Sequence, residues 1–352
     1  MSESLRTIHD LETPSVLIDL DRMERNLHRM QDHCDSLGLA FRPHIKTHKI
    51  PAIAQMQIDA GAVGIACQKV SEAEVFAQAG FSDIQIPYNI LGERKTRRLA
   101  ELAIYNRVTV SADHPAVVHG LSMAAEAADT PIRVMVELGT EKQRTGTNIE
   151  DGIALAKMIE ADDRLHFAGL LIYPSDPSVR PILQEVIAAL NASGIGVDTV
   201  SGGGTGAALH AAEVPELTEL RVGTYIFNDW TTVRAGWCTL EDCAMVVRAT
   251  VVSRPTPERA ILDAGSKTLT PEMIEGGYGH ILEYPQARIY KLNEEHGYVD
   301  LQNCEDIPDV GEIVHIVPVH TCVVTNMHDT LYGVRGEQIE VAWHVAARGK
   351  VW

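Results

Sequence analysis

Between residues 41 and 222 the chain keeps a regular beat. Short apolar runs ending in polar or glycine-containing turns alternate with stretches that carry apolar residues at helical spacing. The pattern predicts strands over Phe41–Lys46, Val63–Cys67, Ile84–Pro87, Val108–Ser111, Ile132–Leu138, Phe167–Tyr173, Val197–Ser201 and Leu220–Val222. SEAEVFAQAG and HPAVVHGLSMAAEAA between them read as helices, and SEAE reads as a capping box in which Ser71 faces Glu74. Strands joined by helical crossovers run parallel. Eight such beats predict a (β/α)8 TIM barrel over a doubly wound sheet. SVLIDLDRMERNLHRM, ahead of the first beat, reads as a strand and a long amphipathic helix leading in. After about residue 236 the period changes. CAMVVRATVVSRP, RAILDAG, YPQARIYKL, GYVDL, EIVHIVPVH and QIEVAWHVAA alternate at strand period with turn residues between them. The expected organisation is a barrel over 1–235, with a lead-in segment able to join the other domain, and a β-rich domain over 236–352.

Composition narrows the functions this architecture can serve. A chain of 352 residues is long for one core, in keeping with two domains. A formal charge of −18 argues against nucleic acid or an anionic membrane as partner, since both call for a basic surface. The opening MSESLRTIHDLETP is too polar and acidic for a secretory signal, and no apolar run is long enough to span a bilayer. Six cysteines without a short repeating spacing argue against a disulfide framework. A reducing cytoplasm is the expected compartment.

In a barrel, chemistry belongs where strands end. Lys46 closes the first predicted strand inside RPHIKTHK, among Arg42, His44, His48 and Lys49. Lysine at a strand end is ordinarily a solvated rim residue. Flanked by like charges it would have a lowered pKa and a nucleophilic amine, as a Schiff base with an aldehyde requires. SGGGTGAA, Ser201 to Ala208, precedes a helix and leaves backbone N–H groups uncovered. Alone it is most often a glycine-rich turn. A second small-residue turn follows in RVGTY, Arg221 to Tyr225, and loops after the last two strands are where barrels commonly hold phosphate. Lysine early and a phosphate cradle late describe a site for pyridoxal 5'-phosphate.

TPSVLIDLDRMERNL, RPHIKTHK, GAVGIACQKVSEAE, SGGGTG and ELRVGTYIFND together resemble the fold-type III pyridoxal phosphate enzymes related to alanine racemase, and within them the D-threonine aldolase and D-serine dehydratase branch. The resemblance covers nearly the whole chain. It implies that Lys46 carries the cofactor, that Arg144 lies near its phenolic oxygen and that Tyr173 lines its pocket. By the same resemblance Gly203, Gly204, Gly223 and Thr224 bind its phosphate with Tyr225 behind them. Arg221 stands where alanine racemases place an arginine on the pyridine nitrogen. A homodimer is also implied.

PVHTCVVTNMHD, Pro318 to Asp329, bears on the reaction. On a strand, residues i and i+2 share a face, so His320 and Cys322 could reach one ion. Imidazole with thiolate favours zinc, with manganese as the other divalent candidate, and two protein ligands leave positions open for substrate. A lone His-x-Cys pair is usually unremarkable, but the branch resembled here places its divalent metal at this point. Its aldolases read His-Cys-Asp, whereas this chain reads His-Thr-Cys, like the dehydratases. The resemblance therefore implies a lyase that removes water from D-3-hydroxy amino acids to give a keto acid and ammonia, with Lys46 as the base at the α-carbon and the metal on the leaving hydroxyl. Three alternatives use the same parts. Retro-aldol cleavage would give glycine and an aldehyde. A racemase would need a second base such as Tyr278, and a non-catalytic pyridoxal phosphate binder would need no metal. Asn326 and Asp329 are candidates to orient the metal ligands or to close a turn, and Asp263 and Lys267 read as structural.

Overall fold

The beat of the sequence becomes one eight-stranded parallel sheet in the computed structural model, which describes residues 6–142 and 144–352. In spatial order the strands are Ala40–Phe41, Glu219–Arg221, Val200–Gly203, Leu165–Ile172, Ile132–Leu138, Arg107–Ala112, Asp83–Ile86 and Ile65–Ala66. The two outer strands then approach each other. His44 forms a parallel bridge with Ala66, and the Ala66 N–H donates to Pro43 O at 2.9 Å. The sheet thus closes into the expected barrel. Its strands are apolar along their length because both faces are covered, and Ile84, Val110, Val134, Leu170 and Leu220 are fully buried. Each such side chain contributes roughly 1.5–3 kcal/mol by leaving water.

Interspersed with these apolar groups is a polar cluster. Arg42 Nε and Nη1 donate to Glu219 at 2.8 Å and to Asp83 at 2.7 Å, and Glu219 also accepts from Ser201 Oγ at 2.6 Å and Gln85 Nε2 at 3.3 Å. Buried charges persist when they are paired and hydrogen-bonded, and Glu219 meets both conditions. One cation of RPHIKTHK is therefore a structural ion-pair member, not part of a charge cluster around Lys46.

The chain divides into two compact units: one holds residues 30–46, 51–223 and 350–352, and the other holds the described residues up to Arg29, Thr47–Ile50 and Thr224–Gly349. The second unit begins its long stretch at Thr224, ahead of the expected cut at 235, since Glu219–Arg221 is the last barrel strand. Its sheet runs Arg288–Leu292, Gly297–Asp300, Arg259–Leu262, Met245–Thr256, Ser15–Asp19, Thr330–Arg335 and Gln338–His344. Ile313–Pro318 pairs with both Met245–Thr256 and Gly279–Ile281. Every pairing is antiparallel except that of the lead-in strand Ser15–Asp19 with Thr330–Arg335. No helix among the described residues is long and apolar enough to cross a membrane.

Two local expectations fail. The first strand stops at Phe41, and Lys46 sits in a 3-10 turn, Ile45–Thr47, where Ile45 is fully buried. The SEAE capping box does not form, because the helix begins at Val70 and places Ser71 inside its first turn. The carboxylate that reaches back is Glu72, which accepts from the Gln68 N–H at 2.6 Å, while Glu74 pairs with Arg98.

Candidate active site

Lys46 leaves the barrel wall on that 3-10 turn, half-buried, with Nζ donating to Gln68 Oε1 at 3.2 Å. His44, two residues earlier, places Nε2 3.1 Å from the same oxygen. Burial, then the charges of Lys46, Arg221 and Arg144, holds the His44 imidazole well below its ordinary pKa. It is a neutral ring among cations. The remaining cations of the motif turn elsewhere: Arg42 to Glu219 and Asp83, and Lys49 Nζ to Ala347 O at 3.2 Å within the other unit. Apart from Lys46, the charges acting on His44 come from outside the motif: Arg221 on the last barrel strand and Arg144 in the loop after Ile132–Leu138.

The glycine turn lies at the end of the strand Val200–Gly203. A Cβ on Gly203 would stand 3.0 Å from Arg221 O and 3.4 Å from the Tyr173 ring, and Gly204 adopts φ +108°, a conformation that favours glycine. Side chains here would fill the cradle. The Arg144 guanidinium lies 4.1 Å from the centroid of the Tyr173 ring, a cation–π contact. Arg221 is buried, with Nε donating to Ser201 Oγ at 2.8 Å and Nη2 to Ile172 O and Ser201 O. Burial lowers its pKa to about 10 against the opposing pull of Glu219 and Glu137. Glu137 is itself buried and raised above the ordinary carboxylate value, chiefly by burial, and accepts from Thr145 Oγ1 at 2.6 Å. Lys46, Arg144, Tyr173, Gly203, Gly204 and Arg221 thus fall in one neighbourhood, with Gly223 two positions after the last barrel strand. An amine on a short turn, guanidinium groups and an open glycine turn fit a phosphorylated aldehyde. Thr224 and Tyr225 belong to the second unit's segment, where Thr224 opens a 3-10 turn and Tyr225 is buried.

In that second unit, His320 and Cys322 are not on a strand. The strand Ile313–Pro318 ends first; His320 is the N-cap of the helix Thr321–Met327 and Cys322 lies in its first turn. Against burial, the Cys322 side chain, with Glu272, nevertheless raises the His320 pKa to about 10, so the two side chains are neighbours. Glu272 Oε2 accepts from His320 Nδ1 at 2.8 Å, which leaves Nε2 as the ring's lone-pair nitrogen when the imidazole is neutral. Thr47 Oγ1 lies 3.2 Å from Cys322 Sγ. The backbone is held as well: Asp229 Oδ2 accepts from Thr321 N–H at 3.3 Å, and Val319 O accepts from Thr231 Oγ1 at 2.8 Å. Among the described residues no group of three or more His, Cys, Asp or Glu side chains converges as a metal site. A thiol and an imidazole with a carboxylate behind the ring fit a divalent ion with open positions.

Asn326 and Asp329 do not support this pair: Asn326 Oδ1 accepts from Gly349 N–H, and Asp329 pairs with Arg348. Asp263 is structural, accepting from Thr13 Oγ1 and Thr250 N–H at 2.7 Å each. No disulfide joins any of the six cysteines. Gln68, Thr47, Glu272 and Glu137 are further candidate site residues that sequence reasoning missed. Thr47 and Gln68 had a local signal, since they sit inside RPHIKTHK and GAVGIACQKVSEAE. Glu272 lies 48 positions from His320, and Glu137 reads as one polar residue within an apolar strand.

Residues 18–229 match the family described as alanine racemase, N-terminal domain, and residues 244–334 match the putative serine dehydratase domain. The chain is 37% identical to D-threonine aldolase from Arthrobacter sp over 96% of its length and 93% of that protein's. The crystal structure of D-threonine aldolase from Filomicrobium marinum superposes with a TM-score of 0.92 at 34% identity, covering 100% of both chains. D-threo-3-hydroxyaspartate dehydratase from Delftia sp. HT23 superposes with a TM-score of 0.85 at 26% identity, covering 96% of this chain and 98% of that one. Solved mutants of D-threo-3-hydroxyaspartate dehydratase include a histidine-to-alanine form and a metal-free cysteine-to-alanine form, with the histidine two positions before the cysteine.

Proposed function

The chain belongs to the fold-type III pyridoxal phosphate enzymes, in the D-threonine aldolase and D-serine dehydratase family, and from that membership we propose a lyase that eliminates water from D-3-hydroxy amino acids to give a keto acid and ammonia. The observation that carries the choice of reaction is the His320–Cys322 pair, a histidine followed two positions later by cysteine where the aldolase pattern has aspartate. A D-threo-3-hydroxyaspartate dehydratase has histidine and cysteine at the same spacing among its mutated positions. Retro-aldol cleavage is the second reading, favoured by the 37% identity to a D-threonine aldolase.

Lys46 would hold pyridoxal phosphate, with Gly203, Gly204, Gly223 and Thr224 at its phosphate, Tyr225 behind them, Arg144 at its phenolic oxygen, Arg221 at the ring nitrogen and Tyr173 lining the pocket. The cofactor supplies an electron sink for the α-carbon. A divalent ion on His320 and Cys322, zinc by the softness of its donors, supplies Lewis acidity for a poor leaving group. The Lys46 amine takes the α-proton as general base. His44 stays neutral beside it, held so by burial and the neighbouring cations. Glu272 fixes the His320 ring and its tautomer. A homodimer in a reducing cytoplasm completes the reading.

A proton NMR time course with D-threonine, pyridoxal phosphate and zinc in D2O tests it. Appearance of 2-oxobutanoate is the expected result. Glycine with acetaldehyde would replace the dehydratase reading by the aldolase one, and loss of the α-proton signal alone would point to racemisation.

A further inference from the structure

Gln68 lies within GAVGIACQKVSEAE, and its side-chain oxygen is the hub between His44 and Lys46. Oε1 accepts from Lys46 Nζ at 3.2 Å and lies 3.1 Å from His44 Nε2. A carbonyl oxygen has two lone pairs and only accepts, so the bonding pattern places the proton of His44 on Nε2. Nδ1 is then the acceptor, and the Lys46 backbone N–H points to it at 3.5 Å. The histidine therefore touches Lys46 twice, once directly and once through Gln68. The hub is held at its own base as well, because the Gln68 N–H donates to Glu72 Oε2 at 2.6 Å and Glu72 is buried. Rotamer entropy of a long side chain normally makes such an amide a poor anchor; here the backbone bond and two side-chain donors oppose it.

We propose that Gln68 is a positioning residue for the Lys46 amine. Its oxygen receives the amine whenever the lysine is not bonded to the cofactor, and keeps the lone-pair direction toward the place where the cofactor's aldehyde and the substrate's α-carbon must stand. This rests on the reading of Lys46 as cofactor lysine and base, though not on whether water or an aldehyde leaves. His44 contributes by remaining neutral and filling the second lone pair, so the Gln68 amide cannot turn away without stranding a buried N–H donor.

The test uses Gln68→Met, which keeps length and removes the acceptor, and Gln68→Glu, which restores one. Apoenzyme is mixed with pyridoxal phosphate, and the rate of forming the lysine-bound cofactor is followed by its absorbance, before any substrate is present. A hydrogen bond to a charged donor is worth enough to change such a rate about 10-fold to 100-fold. Gln68→Met should capture the cofactor roughly tenfold or more slowly and lose kcat by a similar factor with KM little changed, and Gln68→Glu should recover most of the capture rate. Circular dichroism checks that both variants fold; if Gln68→Met does not, Gln68→Leu takes its place. Capture and kcat within twofold of wild type in the folded acceptor-free variant would overturn the inference while leaving the role of Lys46 standing. Unchanged capture by Lys46→Ala would instead overturn the reading of Lys46, and this proposal with it.

Discussion

Glu219→Gln should weaken the barrel far more than its single-atom change suggests. The carboxylate is almost fully buried and faces three donors: Arg42 Nε at 2.8 Å, Ser201 Oγ at 2.6 Å and Gln85 Nε2 at 3.3 Å. It is also the main group opposing the burial of Arg221. The amide keeps the shape but removes the charge, and it must turn an NH2 toward either a guanidinium or a hydroxyl that now donates. Arg42 would retain only Asp83, which is partly exposed. Removing one partner of a buried pair costs about 3–5 kcal/mol, because the other charge stays buried without compensation. For a unit of about two hundred residues, at roughly 3 °C per kcal/mol, the melting temperature should fall by about 9–15 °C. Equilibrium urea unfolding followed by far-UV circular dichroism at pH 7 measures the loss directly. The pH dependence supplies a second check. Burial raises the pKa of Glu219, but Arg42, then Ser201, outweigh it, so the folded value lies below the ordinary carboxylate value of 4.5. Its contribution is then complete above the unfolded value and disappears as pH falls through the folded one. The gap between wild type and variant should hold from pH 7 to about pH 5 and narrow only below 4.5. A loss under about 1 kcal/mol, the range of surface pairs, or a gap already closing at pH 6, would refute the argument.

Three other outcomes are expected. Glu272→Gln should weaken metal binding about tenfold, the low end for a group behind a ligand because this carboxylate is half exposed; competition with a chromophoric chelator reads it. Thr47→Val removes the hydroxyl 3.2 Å from Cys322 Sγ and should lower metal affinity by about 10-fold to 100-fold, while Thr47→Ser keeps it near wild type in the same competition. Asn148→Ala deletes the N-cap of the helix Ile149–Glu160, whose side chain accepts from Asp151 N–H at 2.9 Å, and should cost about 1 kcal/mol in urea unfolding with the kinetic constants unchanged.

The barrel was legible because its signal repeats. Eight strands buried on both faces leave eight apolar runs, and each run keeps its meaning wherever the neighbouring strands fall. Every predicted barrel strand overlaps an observed one, and the shift to strand period after residue 236 likewise marks the second sheet. Boundaries were less legible. His44 must bridge Ala66 to close the barrel, and that contact, twenty-odd residues away, ends the first strand early and throws Lys46 onto a turn. His320 and Cys322 were singled out by spacing and by resemblance, on a strand geometry that the structure does not have. Val319 and Thr321 are held by Thr231 and Asp229, and the chain enters a helix there instead of continuing the strand.

What the amino-acid order determined alone was the periodicity of burial and the few residue types with unusual chemistry: a lysine among other cations and histidines, three consecutive glycines, a histidine near a cysteine. These are local properties, set by side-chain hydrophobicity and backbone freedom. The tertiary structure alone decided which polar groups pair with one another. Arg42 answers to Glu219, Lys46 to Gln68, His320 to Glu272 and Cys322 to Thr47. Electrostatic and hydrogen-bond energies depend on distance in space, falling away within a few ångströms, and two groups separated by 177 or 275 positions in the chain give no sign of each other until the fold brings them together.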